Sequence, residues 1–192
     1  MNSIDREVPI IDLFAGPGGL GEGFSALGRG KGATPFRIRL SIEKDFFAHQ
    51  TLLLRSFFRQ FPYGEVPSEY YSFIKKTGSQ NLDDLLAFFH EEGTAAKNEA
   101  RLAELGGKDN SSREIDGWIK NALAGSDNWV LIGGPPCQAY STVGRSRNKG
   151  VKDYEAAHDK RHFLYLEYLR IIANHWPVVF VMKNVRGIIW ND

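Results

Sequence analysis

Apolar and polar positions alternate along the chain in two rhythms. Strand-like apolar runs occupy residues 9–14, 36–42, 129–132 and 178–182, each ending in a loop rich in special residues, a pattern that predicts buried strands. Between them lie stretches with apolar side chains every three or four positions, at residues 20–27, 46–58 and 161–174. In the last of these Phe163, Leu164, Leu166, Leu169, Ile171 and Ile172 form one stripe, as an amphipathic helix requires. Helical patterns also cover residues 82–91 and 113–123, and one more strand is expected within residues 100–105. Strands alternating with helices imply an α/β fold, a doubly wound and mostly parallel sheet covered on both faces. In such sheets ligands bind at the carboxyl ends of the strands. Residues 61–127 are long for a single strand–helix crossover and are expected to contain an insertion.

Composition narrows the class without deciding the function. The chain has 192 residues, 42% of them hydrophobic, and a formal charge of +1, which suits one soluble globular domain. Its single cysteine, Cys137, rules out an intrachain disulfide framework and fits a reducing compartment. MNSIDREVPI at the start lacks a basic segment followed by an apolar one, so no signal peptide is expected. No apolar stretch approaches the roughly 20 residues that span a bilayer, and no metal site is expected. A cytoplasmic protein is the simplest reading. The near-neutral charge neither suggests nor excludes a nucleic-acid partner, because a local basic cluster suffices for one.

The chemistry gathers where the predicted strands end. After the first, Gly16, Gly18 and Gly21 in AGPGGLGEGF satisfy G-x-G-x-x-G between a strand and a helix. Glycines there let backbone amides approach a cofactor. The second strand ends at Glu43, where a carboxylate can accept from two ribose hydroxyls. This pairing fits a nicotinamide dinucleotide or S-adenosylmethionine. The third strand leads through Gly133, Gly134, Pro135 and Pro136 to Cys137. A thiol on so stiff a turn at a strand end is placed to attack something in a cleft, which a packing role would not require.

Taken together, DLFAGPGGLGEGF (12–24), SIEKD (41–45), GGPPCQAYS (133–141) and VMKNVRG (181–187) resemble the DNA cytosine-5 methyltransferase family in order and spacing. The resemblance covers nearly the whole chain and corresponds to the N-terminal and central part of that family's catalytic domain. It implies a Rossmann-like class I fold that uses S-adenosylmethionine. Phe14, Ala15, Gly16, Gly18, Gly19 and Leu20 then match the loop around the methionine part of the cofactor. Glu43 matches the ribose-binding acid, Lys44 the neighbour that packs on adenine (often a large apolar residue in the family), and Pro135 a further cofactor contact. Cys137 matches the nucleophile that adds to C6 of a cytosine flipped out of double-stranded DNA. Gln138, Ser141, Arg145, Arg147 and Arg161 match the DNA-facing segment, in a stretch that also carries Lys149, Lys152 and Lys160. One branch of the family modifies transfer RNA, which keeps RNA open as a substrate.

Two departures qualify the resemblance. The family has Glu-Asn-Val where this chain has Lys183, Asn184 and Val185. The glutamate accepts from the cytosine N4 amino group, whereas a lysine ammonium has donors and no acceptor, so methyl transfer is expected to be severely impaired. The family also continues past the position of Asp192 with an Arg-rich motif, a target-recognition domain and a C-terminal segment. Residues 1–192 are therefore expected to form a partial catalytic domain, with its sheet incomplete on the C-terminal side and an association-prone edge at residues 178–182. The expected activity is DNA cytosine C5 methylation in a restriction-modification setting. The rival readings are an inactive fragment that binds S-adenosylmethionine or DNA, and one subunit of a split enzyme with a complementing C-terminal chain.

Overall fold

A computed structural model describes residues 7–27, 35–78, 81–135 and 164–183. Five strands form one parallel sheet: β1 (Val8–Leu13), β2 (Phe36–Glu43), β3 (Ala100–Leu102), β4 (Val130–Gly133) and β5 (Val179–Met182). Their spatial order is β3-β2-β1-β4-β5, so the chain reverses direction across the sheet between β1 and β4. That reversal opens a crevice at the carboxyl ends of those two strands.

Seven helices accompany the sheet among the described residues: α1 (Gly19–Ala26), α2 (Phe46–Arg59), α3 (Ser68–Ile74), α4 (Leu82–Phe88), α5 (His90–Glu99), α6 (Ser112–Leu123) and α7 (Leu164–His175). Local chemistry starts several of them. The Asp45 side chain accepts from the Ala48 amide at the head of α2, and Ser111 accepts from Glu114 at the head of α6, each satisfying an amide that the helix leaves unpaired. Helix α6 buries Ile115, Ile119 and Leu123, a spacing of four that puts all three on one stripe.

Alternation along the strands divides the core between two layers. Ile11, Leu13, Leu40, Ile42 and Leu131 face α6 and α7, where they meet Ile115, Ile119, Tyr168 and Ile171. Ile10, Ile38, Val130 and Ile132 face the other way, onto Leu20 and Phe24 of α1. The β1–β2 register shifts between Ile10, paired with Ile38, and Ile11, paired with Leu40. Arg39 is thus an extra residue that bulges from the ladder. A third cluster fills the space among α2, α3, α4 and α5, centred on the fully buried Phe57, whose ring meets Phe61, Tyr70 and Phe89.

Several boundaries differ from the sequence reading for physical reasons. The pattern over residues 82–91 breaks at Phe89 (φ −106°, ψ 72°), which separates α4 from α5. The turn is tight enough that a Cβ on Gly93 would sit 2.1 Å from the Leu86 carbonyl oxygen. Helix α3 has no strong period of its own and is held by Tyr70, which packs against Phe58. The strand expected within residues 100–105 spans only Ala100–Leu102, although the Ala103 amide still donates to the Glu43 carbonyl. Of the helix expected over residues 161–174, the described part runs Leu164–His175.

Candidate cofactor site at the carboxyl edge of the sheet

The glycine loop begins where β1 stops. Phe14 and Gly16 adopt left-handed φ values of 56° and 57°, and Gly18 one of 87°. A phenylalanine rarely tolerates that geometry, whereas glycine does so freely. The turn is pinned by amides donating from Ala15 to the Ile42 carbonyl and from Gly18 to the Ala15 carbonyl, both at 3.0 Å. A Cβ built on Gly16 would project into open space. At Gly16 the loop therefore presents bare backbone to the crevice, as a site for a closely held cofactor requires.

Glu43, at the end of β2, ties this loop to the next strand. Its Oε2 accepts from the Gly16 amide and its Oε1 from the Asp45 amide, each at 2.7 Å. A carboxylate offers about four lone-pair directions, so both oxygens retain capacity for a ligand hydroxyl. Beside Glu43 is a cavity of ≈90 Å³ whose lining includes Phe14, Glu43, Lys44, Glu104, Gly134 and Leu164. The Lys44 ammonium meets the Glu104 carboxylate at 3.0 Å, both side chains about half exposed. Donors, acceptors and open backbone at the switch point together fit an adenosine-bearing cofactor.

Below the loop lies a group that the sequence reading passed over. Asp12 is 1% exposed, and neither carboxyl oxygen has a hydrogen bond of normal geometry. Burial pushes its pKa up to about 7, opposed less strongly by Arg59 and the Gly21 amide. Arg59 itself is buried, which alone would lower its pKa, but Glu99 and Glu22 outweigh the burial and raise it. Asp12 thus lies one strand position before the loop with a proton to lose near neutrality.

The residues singled out from the sequence separate into three groups. Phe14, Glu43 and Lys44 line the cavity, Gly16 is joined to Glu43 through its amide, and Ala15 is held to β2 through the Ile42 carbonyl. Gly18 and Gly19 lead into α1, while the Leu20 side chain packs against the apolar cluster under that helix. Pro135 is buried just past β4. Lys183 follows β5, its amide donating to the Gly133 carbonyl at 2.7 Å. Its Cδ would lie 3.3 Å from a Cβ on Gly134, so it stands beside the chain leading to Cys137. Cys137, Gln138, Ser141, Arg145, Arg147 and Arg161, with Lys149, Lys152 and Lys160, lie outside the described residues. Glu104, Leu105 and Leu164 line the cavity unforeseen. An acid two residues past a strand was the available signal for Glu104.

A parallel sheet with this reversal, a glycine loop after β1 and an acid at the end of β2 make a Rossmann-like α/β fold, of the kind the methyltransferase family implies. Residues 104–192 match the family model described as C-5 cytosine-specific DNA methylase. Over 94% of its length the chain is 32% identical to type II methyltransferase M.Bpa9945I of Bacillus paralicheniformis, covering 41% of that protein. It is 31% identical to DNA (cytosine-5-)-methyltransferase M.ApeKI of Aeropyrum pernix, over 93% of this chain and 29% of the relative. Type II methyltransferase M.DdeI of Desulfomicrobium norvegicum matches at 28% identity, over 94% of this chain and 28% of its own. Residues 104–192 thus match the C-5 cytosine-specific DNA methylases, relatives of that kind align over most of the chain, and the chain spans less than half the length of these relatives. Among the described residues no helix is long and apolar enough to cross a membrane, and no cluster of side chains could hold a metal ion.

Proposed function

We propose that this chain forms the cofactor- and cysteine-bearing part of a cytoplasmic restriction-modification enzyme that methylates cytosine C5 in double-stranded DNA. The observation that carries the cofactor half is the Glu43 carboxylate bridging Gly16 and Asp45 beside the open glycine loop. There S-adenosylmethionine would supply an electrophilic methyl group. Glu43 would accept from the ribose hydroxyls with its free lone pairs, the loop amides would hold the polar end, and Lys44 and Glu104 would border the adenine. Cys137 is assigned as the nucleophile by family resemblance. Its thiolate adds to C6 of a flipped cytosine, moving electron density to C5, where the methyl group is accepted. Loss of the C5 proton then expels the thiolate and restores the ring. Gln138, Ser141, Arg145, Arg147 and Arg161 would face DNA, the arginines toward phosphates.

Lys183 favours a second reading, binding without turnover. A glutamate at this position could accept from the cytosine amino group, and lysine cannot. Two measurements separate the readings. Calorimetry with S-adenosylhomocysteine tests the cofactor site, and trapping on duplex DNA containing 5-fluorocytosine tests attack by Cys137. A covalent adduct lost in Cys137→Ser supports the enzyme; cofactor binding without any adduct supports the binding module; neither signal refutes both. Lys183→Glu is expected to raise methyl transfer strongly, and equal activity in the two forms would remove the argument from Lys183.

A further inference from the structure

The flank of the sheet holds a second concavity, lined by none of the residues that line the cavity beside Glu43. β3 pairs with β2 only at Ser41, Ile42 and Glu43, so the first half of β2 has no strand beside it on that flank among the described residues. The slot left there between α5 and α6 has a volume of ≈500 Å³, within the range of small-molecule sites. Three guanidinium groups line it: Arg37 and Arg39 from β2, and Arg101 from β3.

Among the described residues these cations have few acceptors. Glu99, the acid lining the slot among the described residues, is engaged elsewhere. Its Oε1 accepts from Arg59 at 3.2 Å and its Oε2 from Gln60 at 3.0 Å. The Glu7 carboxylate is shared by Arg37 at 3.5 Å and Arg39 at 3.9 Å, well beyond the roughly 2.8 Å of a close charge-assisted hydrogen bond. Arg101 donates to the Asn98 side chain at 3.0 Å and lies over the Trp118 ring, 5.3 Å from its centroid. Its Nε is buried without a partner. These two contacts hold the guanidinium in place, so a ligand need not order it.

Spacing sets the kind of anion. Arg101 pairs with Ile42, and because Arg39 bulges between the levels of Ile10 and Ile11 their backbones are offset by between two and three strand steps, roughly 8 Å. One phosphate spans part of that distance; a linked row of anionic groups spans all of it. We propose that the slot binds a small polyanion, a molecule carrying linked phosphate groups, between Arg37 and Arg39 at one end and Arg101 at the other. A duplex also presents phosphates in a row, but a slot recessed between two helices suits the smaller molecule.

Inorganic tripolyphosphate, titrated calorimetrically at low ionic strength, is the probe. Saturable binding is expected, weakened about tenfold or more by Arg101→Gln and by the pair Arg37→Gln/Arg39→Gln, as the loss of a charge-assisted hydrogen bond implies. Arg101→Lys should also weaken it, because charge is kept while the flat fork is lost. S-adenosylhomocysteine binding should be unchanged in all three. Arg37 and Arg39 are half-exposed, so their variant stays informative even if Arg101→Gln unfolds. No binding, equal binding in the variants, or displacement of tripolyphosphate by an equimolar DNA duplex would overturn the proposal.

Discussion

Replacing Asp12 with asparagine keeps the shape of the side chain and removes its titration. In the folded chain burial lifts this carboxyl from 3.8 to about 7; in the unfolded chain it takes the ordinary value. Between about pH 4 and pH 7 the unfolded chain therefore releases a proton that the fold retains. Stability contributed by this group falls across that window as pH rises and is constant above it. At 1.36 kcal/mol per pH unit the full change is roughly 4 kcal/mol, an upper bound, since any hydration of the site reduces it. Other carboxylates impose their own pH dependence, so the informative quantity is the difference between the two proteins. Urea unfolding followed by tryptophan fluorescence at pH 4.5, 6, 7 and 8 gives it, Trp129 being buried beside the sheet. Asp12→Asn should gain about 2–4 kcal/mol relative to the parent from the lowest to the highest pH. A difference that stays constant within about 0.5 kcal/mol would show that Asp12 titrates normally, and the argument from its burial would fail.

Gly133→Ala would place a Cβ 2.4 Å from the Leu13 carbonyl oxygen and 2.9 Å from Tyr168 Cε2. Such overpacking against backbone should cost about 3 kcal/mol or more, visible as a lower Tm, with Gly134→Ala the milder control at 3.3 Å from a flexible lysine carbon. Glu43→Ala removes the acceptor of two amides and should weaken S-adenosylhomocysteine binding at least about tenfold; unchanged affinity would leave Glu43 a purely structural tie. Burial alone would raise the pKa of Asp116, but hydrogen bonds from His175 and Arg170 outweigh it and lower it. Its contribution is present above the ordinary carboxylate value and lost as pH falls below it. Asp116→Asn should therefore cost about 1 kcal/mol or less at neutral pH, shrinking in acid denaturation series.

Much of this arrangement was legible because burial on both faces writes strands as apolar runs. VPIIDL and VLIG are examples, and punctuation by glycine and proline marks where they stop. Glu43 was legible as an acid at a strand end. Its bond to Gly16 was not, since that depends on β1 and β2 lying side by side. Phe89 escaped notice because FFHEEG carries helical periodicity straight through it, and only close packing of α5 on α4 breaks the helix there. Asp12 hid inside an apolar run, where one carboxylate changes the pattern little and its environment everything.

The bulge at Arg39 has a consequence for the crevice. Side chains on a strand alternate faces, so one additional residue inverts the parity of everything beyond it. Because of it, Ile38 reaches the cluster under α1 and Leu40 the opposite layer, yet Glu43 still emerges on the side of Gly16. In a strand lacking Arg39 simple alternation would return, with Ile38, Leu40 and Glu43 on the sides they occupy now. The acid is therefore positioned by the pairing of β2 with β1, not by the number of residues before it in the strand. Arg39 is carried by the ladder without being counted, and its loss would leave Glu43 beside the glycine loop.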